Sequence, residues 1–121
     1  MSYLNDLKTL QAIKSQESER LVELTTISDG YTVPSSSNNK TLMFESSSNG
    51  YVTLPDYSED SIPIGFTLKV IQVGSWSAIF EPSGSSTIKS LNGAVETIGE
   101  GSMVDVIKIS TNGWLISGDI Q

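Results

Sequence analysis

Two periods of apolar residues divide the chain. From Ser2 to about Leu24 no Gly or Pro interrupts the sequence, and Tyr3, Leu7, Leu10, Ile13, Leu21 and Leu24 recur at helical spacing. At about 100° per residue these six fall within an arc of roughly 120°, the width of a helix that buries one stripe. Ser2 can cap the first turn, with Asp6 close enough to favour the positive end of the helix dipole. The pattern predicts an amphipathic helical arm within residues 1–27. Lys14 and Glu17 project into the same arc and break the heptads that a free-standing coiled coil needs. The stripe suits either the chain's own domain or another subunit. A helix of about 23 residues spans roughly 35 Å, longer than a small β domain needs as a lid, which favours docking on another subunit.

Ser28-Asp29-Gly30 ends the helical pattern, and Pro34 followed by Ser35-Ser36-Ser37-Asn38-Asn39 predicts a polar connector over 28–40. After it the apolar period drops to two. Candidate strands are 41–45, 51–54, 65–73, 76–80, 87–91, 94–98, 103–109 and 114–117, with Ser-Ser-Asn-Gly, Pro-Ser-Gly, Asn-Gly, Gly-Glu-Gly and Thr-Asn-Gly as turn signals between them. This spacing predicts a small antiparallel β-sandwich or barrel-like module over 41–121, rather than a parallel sheet with crossover helices. Two strands carry apolar residues in both phases. Phe66, Leu68 and Val70 give way to Ile71 and Val73, and Val104 and Val106 give way to Ile107 and Ile109. A β-bulge inside one closed core explains such a phase change; so does a second face packed on a neighbouring copy.

Composition narrows the chemistry. The 121 residues hold no His and no Cys, which removes the imidazole base, the thiolate nucleophile and the usual zinc ligands. Seven basic against fourteen acidic residues give a formal charge of −7, unfavourable for a nucleic-acid partner or an anionic bilayer. Asp6, Lys8, Lys14, Glu17, Glu19 and Arg20 interrupt the first twenty residues, so these supply neither a signal peptide nor a membrane span, and no membrane insertion is expected. The chain is expected to be made in the cytoplasm of its host cell.

Individual side chains offer few chemical leads. Asp56, Glu59 and Asp60 stand close between Pro55 and Pro63, but without the Gly-punctuated order of an EF-hand they are expected to form a solvated acidic loop and no metal site. Glu81 and Glu96 are the carboxylate pair to consider for glycoside hydrolysis, though nothing in the sequence places them across a sugar. Ser83, Ser85 and Ser86 have no His to activate them. Neither catalytic residues nor a cofactor is therefore expected. Trp76, Tyr51 and Tyr57 are candidate glycan contacts through their apolar ring faces, whereas Trp114, in an apolar strand, is expected in the core or a subunit contact.

Tyr31-Thr32-Val33, Leu42-Met43-Phe44, Val52-Thr53-Leu54-Pro55, Ile62-Pro63-Ile64-Gly65-Phe66, Ile71-Gln72-Val73-Gly74, Trp114 and Gly118-Asp119-Ile120 follow one another in an order that resembles the terminal β modules of bacteriophage fibre and head-decoration proteins. The resemblance covers about three quarters of the chain, through short motifs that mostly describe turns and core positions. It implies a β module that commonly forms homotrimers on tail fibres, head fibres or capsids, and it implies no catalytic residues. A helix leading straight into the module, without a long shaft, suits a short capsid-bound spike. The expected protein is a non-enzymatic virion component: a trimeric capsid decoration or short head fibre. Tyr3, Leu7, Leu10, Ile13, Leu21 and Leu24 would anchor it to the major capsid protein or another virion protein, or bundle the three copies. The alternative is a tail-associated tip that recognises a host-surface glycan.

Overall fold

A computed structural model describes residues 21–121. Tyr3, Leu7, Leu10 and Ile13, and with them most of the expected helical arm, lie outside the described residues. The part of that arm inside them is not helical. Leu24–Ile27 is a strand, β1, and Leu21 precedes it in a bend. The physical reason is local: Thr25, Thr26 and Ile27 are three β-branched residues in a row, which favour a pleated strand over a helical turn.

Eight more strands follow: β2 (Tyr31–Thr32), β3 (Thr41–Phe44), β4 (Gly50–Leu54), β5 (Thr67–Gln72), β6 (Ala78–Pro82), β7 (Thr87–Lys89), β8 (Met103–Ser110) and β9 (Gly113–Gly118). They form a six-stranded sheet, in the order β1-β3-β5-β8-β9-β7, and a three-stranded sheet, β2-β4-β6. Up to β6 the chain visits the two sheets alternately. Each strand therefore lies parallel to the one before it in its own sheet: β1 on β3, β3 on β5, β2 on β4 and β4 on β6. The result is three stacked turns of a coil wound around one core. Parallel strands normally need a long crossover, usually a helix. In this chain the crossover is a strand of the opposite sheet, so short corners suffice.

The expected antiparallel module is thus corrected to a mixed one. Only β5–β8 and β8–β9 pair antiparallel among the named strands, while β7 adds to β9 in parallel. The β8–β9 turn at Thr111-Asn112 is a true hairpin, as Thr-Asn-Gly predicts. By contrast, Ser47-Ser48-Asn49-Gly50 turns the chain from one sheet into the other. Residues 94–98 make isolated bridges, Ile79 to Glu96 and Thr97 to Ile120, instead of the expected strand.

The core lies between the sheets. Leu42, Phe44, Leu68, Val70, Val104, Val106, Trp114 and Ile116 point inward from the six-stranded sheet, and Val52, Leu54, Ala78 and Phe80 from the other. Phe66 meets Trp114 edge-on, with ring centroids 5.7 Å apart, and the Trp114 indole N–H donates to Pro55 O at 3.0 Å. Val33 and Ser37, in the stretch read as a connector, are buried in the same body. The β module therefore begins at Leu24, not Thr41.

The corners are fastened by Asx side chains that reach the next turn. Asp29 Oδ1 accepts from the Tyr51 amide at 2.8 Å, and Asn49 Oδ1 accepts from the Ser77 amide at 2.8 Å. Gly50 is required at this stack, because a Cβ there would lie 2.7 Å from the Asp29 backbone Cα. No helix among the described residues is long and apolar enough to cross a membrane.

Candidate functional site

The six-stranded sheet has two faces of different character. Strand alternation directs Leu42, Phe44, Val70, Val104 and Val106 inward and leaves Met43, Ile71, Met103, Ile107 and Leu115 on the outer side. Register sets these in rows. Met43, Ile71 and Met103 lie side by side across β3, β5 and β8, and Ile107 lies beside Leu115 across β8 and β9. Between the two apolar rows runs a polar one, Thr41, Lys69, Asp105 and Ser117, with Leu24 at its β1 end. Lys69 Nζ stands 3.8 Å from Asp105 Oδ1. Leu24 and Met103 are exposed, and Leu21 and Val22 stand exposed just before Leu24 in sequence.

This arrangement resolves the phase change in the two long strands. β5 keeps strict alternation through Gln72, so the bulge expected there is absent and Ile71 lies on the outer face. In β8 the irregularity falls between Lys108 and Ser110, after Ile107 has already taken its outward place in regular register with Leu115. The sequence flagged Ile71, Ile107 and Ile109 for a second face. It missed Met43, Lys69 and Asp105, whose alternation marks them as outward once their strands are paired.

A second feature is a buried cation. Lys108 continues the inward phase of Val104 and Val106 and is 1% exposed. Its Nζ donates to Ile62 O at 3.2 Å and lies 4.9 Å from the Trp114 ring centroid and 5.9 Å from that of Tyr57. Burial lowers its pKa, while the charges of Asp56 and Asp60 act in the opposite direction. Sequence reasoning missed this residue, although its period-two position was the signal.

Asp56 corrects the picture of a solvated acidic loop. It is 5% exposed, and its carboxylate accepts from Ser58 Oγ at 2.7 Å, the Glu59 amide at 2.9 Å and the Ser85 amide at 2.8 Å. These bonds, led by that from Ser85, hold its pKa at about 2. Gly84 lets the two loops meet, since its positive φ of 57° and missing side chain leave room for the carboxylates of Asp56 and Glu59. Glu59 in turn accepts from Ser83 Oγ at 2.8 Å. The carboxylates are occupied in joining residues 56–60 to 83–86. Among the described residues no three acidic side chains converge in a metal-ligating group.

The three candidate glycan contacts do not form one patch. Tyr51, on the outer side of β4, and Trp76, in the corner before β6, are both exposed and lie at the same end of the three-stranded sheet. Tyr57 follows the other end of β4, where its amide donates to Asn112 Oδ1 and its ring lies near Lys108. Glu81 and Glu96 both flank Ile79: Glu81 lies two residues along β6, and Glu96 lies opposite in its bridge. The Glu81 carboxylate accepts from Thr53 Oγ1 at 3.0 Å.

No protein-family model matches the sequence, and no curated protein matches it.

Proposed function

We propose that this chain is a non-enzymatic structural protein of a bacteriophage virion, a trimeric capsid decoration or short head fibre. The observation that carries this reading is the second apolar surface on the six-stranded sheet, where among the described residues Leu24 and Met103 are exposed and Met43, Ile71, Ile107 and Leu115 are half-buried. The order of motifs from Tyr31 to Ile120 supplies the viral context by resemblance. The apolar residues of the N-terminal segment, continued by exposed Leu21, Val22 and Leu24, attach the protein to the major capsid protein or another virion component. The acidic β module projects outward, and its charge limits adhesion to nucleic acid and anionic membranes.

The test is a chain lacking residues 1–20, which keeps every strand from β1 onward. Its occupancy on purified particles, counted by quantitative mass spectrometry beside the full-length chain, is expected to fall sharply. Undiminished occupancy would remove the anchoring role, and absence of the full-length chain from particles would remove the virion reading itself.

One observation favours a second reading, a tail-associated tip that recognises a host-surface glycan. Tyr51 and Trp76 present exposed rings at one end of the three-stranded sheet, and such rings stack on sugars through their apolar faces. Adsorption of the protein to host cells, lost in Trp76→Ala and Tyr51→Ala, would favour this reading over the first.

A further inference from the structure

We infer that the outer face of the six-stranded sheet is the contact between copies of this chain, with β5 of one copy set against β8 of the next. The inference deepens the oligomeric part of the proposed function and rests on it. Its basis is the complementarity of the two halves of the face. Lys69 on β5 and Asp105 on β8 sit at the centre of the polar row, 3.8 Å apart, and their side chains are 40% and 55% exposed. The apolar rows flank this pair on either side: Met43, Ile71 and Met103 towards one end of the strands, Ile107 and Leu115 towards the other.

Consider a rotation axis that runs along the strands and passes in front of the gap between β5 and β8. It brings the β5 half of each copy against the β8 half of its neighbour. Lys69 of one copy then meets Asp105 of the next, and Ile71 meets Met103. Every copy offers Lys69 on one side of the axis and Asp105 on the other, so the centre of each contact pairs opposite charges and the ring closes at two or three copies, while Lys89, in register with Leu115, lies out at the β7 edge. A face-to-face arrangement that set β5 on β5 would oppose Lys69 to itself, a like-charge contact that the pattern disfavours.

The size of the face agrees with such a contact. Six strands about 4.8 Å apart and about five residues long give a flat area on the order of 500 Å², before the relief of side chains is counted. Exposed Leu24 adds to it at the β1 edge. A standard interface buries about 800 Å² per partner, so the face supports a specific but exchangeable assembly rather than a permanent one. A cleft of about 230 Å³ bordered by Thr41, Lys69 and Asp105 gives a neighbour's side chain somewhere to enter.

Sedimentation of the full-length chain across a range of concentrations tests this. The unmodified chain is expected to associate into a dimer or trimer. Ile71→Asp and Met103→Asp should each weaken association about 100-fold, since each would bury a carboxylate at the contact. Thr32→Lys, on the other sheet, should leave association unchanged. Emission in a Trp76→Phe background, where buried Trp114 alone fluoresces, reports whether each variant keeps its core. Should either apolar position fail to fold, Lys69→Glu at a half-exposed site makes the same test by opposing two acids. Association of the unmodified chain that survives all folded variants would overturn this face while leaving oligomerisation standing. A chain that remains monomeric up to about millimolar concentration would overturn both.

Discussion

Thr97→Val is the substitution whose cost can be worked most directly from the structure. Thr97 is 0% exposed. Its hydroxyl donates to Gln72 Oε1 at 2.6 Å and accepts from the Ala78 amide at 2.9 Å. Gln72, equally buried, spends its amide on Gly74 O at 2.9 Å. One oxygen thus ties the end of β5, the start of β6 and the 94–98 segment together. Valine keeps the shape and removes the oxygen. The Ala78 N–H and Gln72 Oε1 then lose these bonds in a dry site, at about 1–3 kcal/mol each, so the expected loss is about 3 kcal/mol. Thr97→Ser keeps the hydroxyl and loses one methyl, worth about 1 kcal/mol. With a urea slope of about 1–3 kcal/mol per molar, the Val midpoint should fall well below the Ser midpoint. Adding Gln72→Leu to Thr97→Val should recover part of the loss by removing the stranded acceptor, a coupling that the double-mutant cycle reads directly. A Val variant as stable as the Ser variant would refute the reasoning, because it would mean that the network contributes shape and no hydrogen bonding.

Three further outcomes follow from the corners and the buried charges. Gly50→Ala should cost about 1–3 kcal/mol by overpacking, measured by urea unfolding, because its new methyl meets the Cα and Cβ of Asp29, which cannot swing aside as a side-chain end could. Asp56→Asn should be less stable than the unmodified chain at pH 7, with the difference shrinking in acid. The folded carboxyl titrates at about 2 against 3.8 for the free group, so its contribution is complete above about pH 4 and disappears as the pH falls through 2; unfolding from pH 7 down to 2 checks it. For Lys108→Met the pH dependence has the same sign but falls in the alkaline range. The folded amine has a lowered pKa, so between that value and 10.5 the unfolded chain holds the extra proton and stability rises with pH; the Met variant should lack this rise. Unfolding of both proteins at pH 8 and 10 compares the slopes, and equal slopes would show that Lys108 keeps its proton as readily in the core as in water.

What the sequence disclosed, and what it concealed, follows from the range of the forces involved. Alternation of Leu68 and Val70 with Lys69 and Ile71 places β5 and both its faces without any partner in view. Thr111-Asn112-Gly113 announces a hairpin because turn chemistry is local. Parallel pairing is different: nothing in Leu42-Met43-Phe44 tells whether its neighbour is the strand just across a turn or one returning from the opposite sheet. Ser47-Ser48-Asn49-Gly50 carries the composition of a hairpin turn and serves as a corner, since both need polar residues and a close backbone approach. Leu24 misled for another reason, its fit to the helical spacing of Leu21 outweighing the β-branched run that follows it. Asp56 looked solvated because its partner, the Ser85 amide, lies far along the chain. The outer face was half legible: Ile71 and Ile107 betrayed it, but the charge pair at its centre needed the β5–β8 register to be seen.

The alternating winding has an evolutionary consequence. Every completed circuit leaves behind the same pair of free backbone ladders that it received, so a duplicated circuit inserted at the 45–49 corner would find donors and acceptors waiting above and below. Such a body can lengthen in whole increments while its terminal hairpin stays unaltered, a route by which reach and sheet surface would grow together.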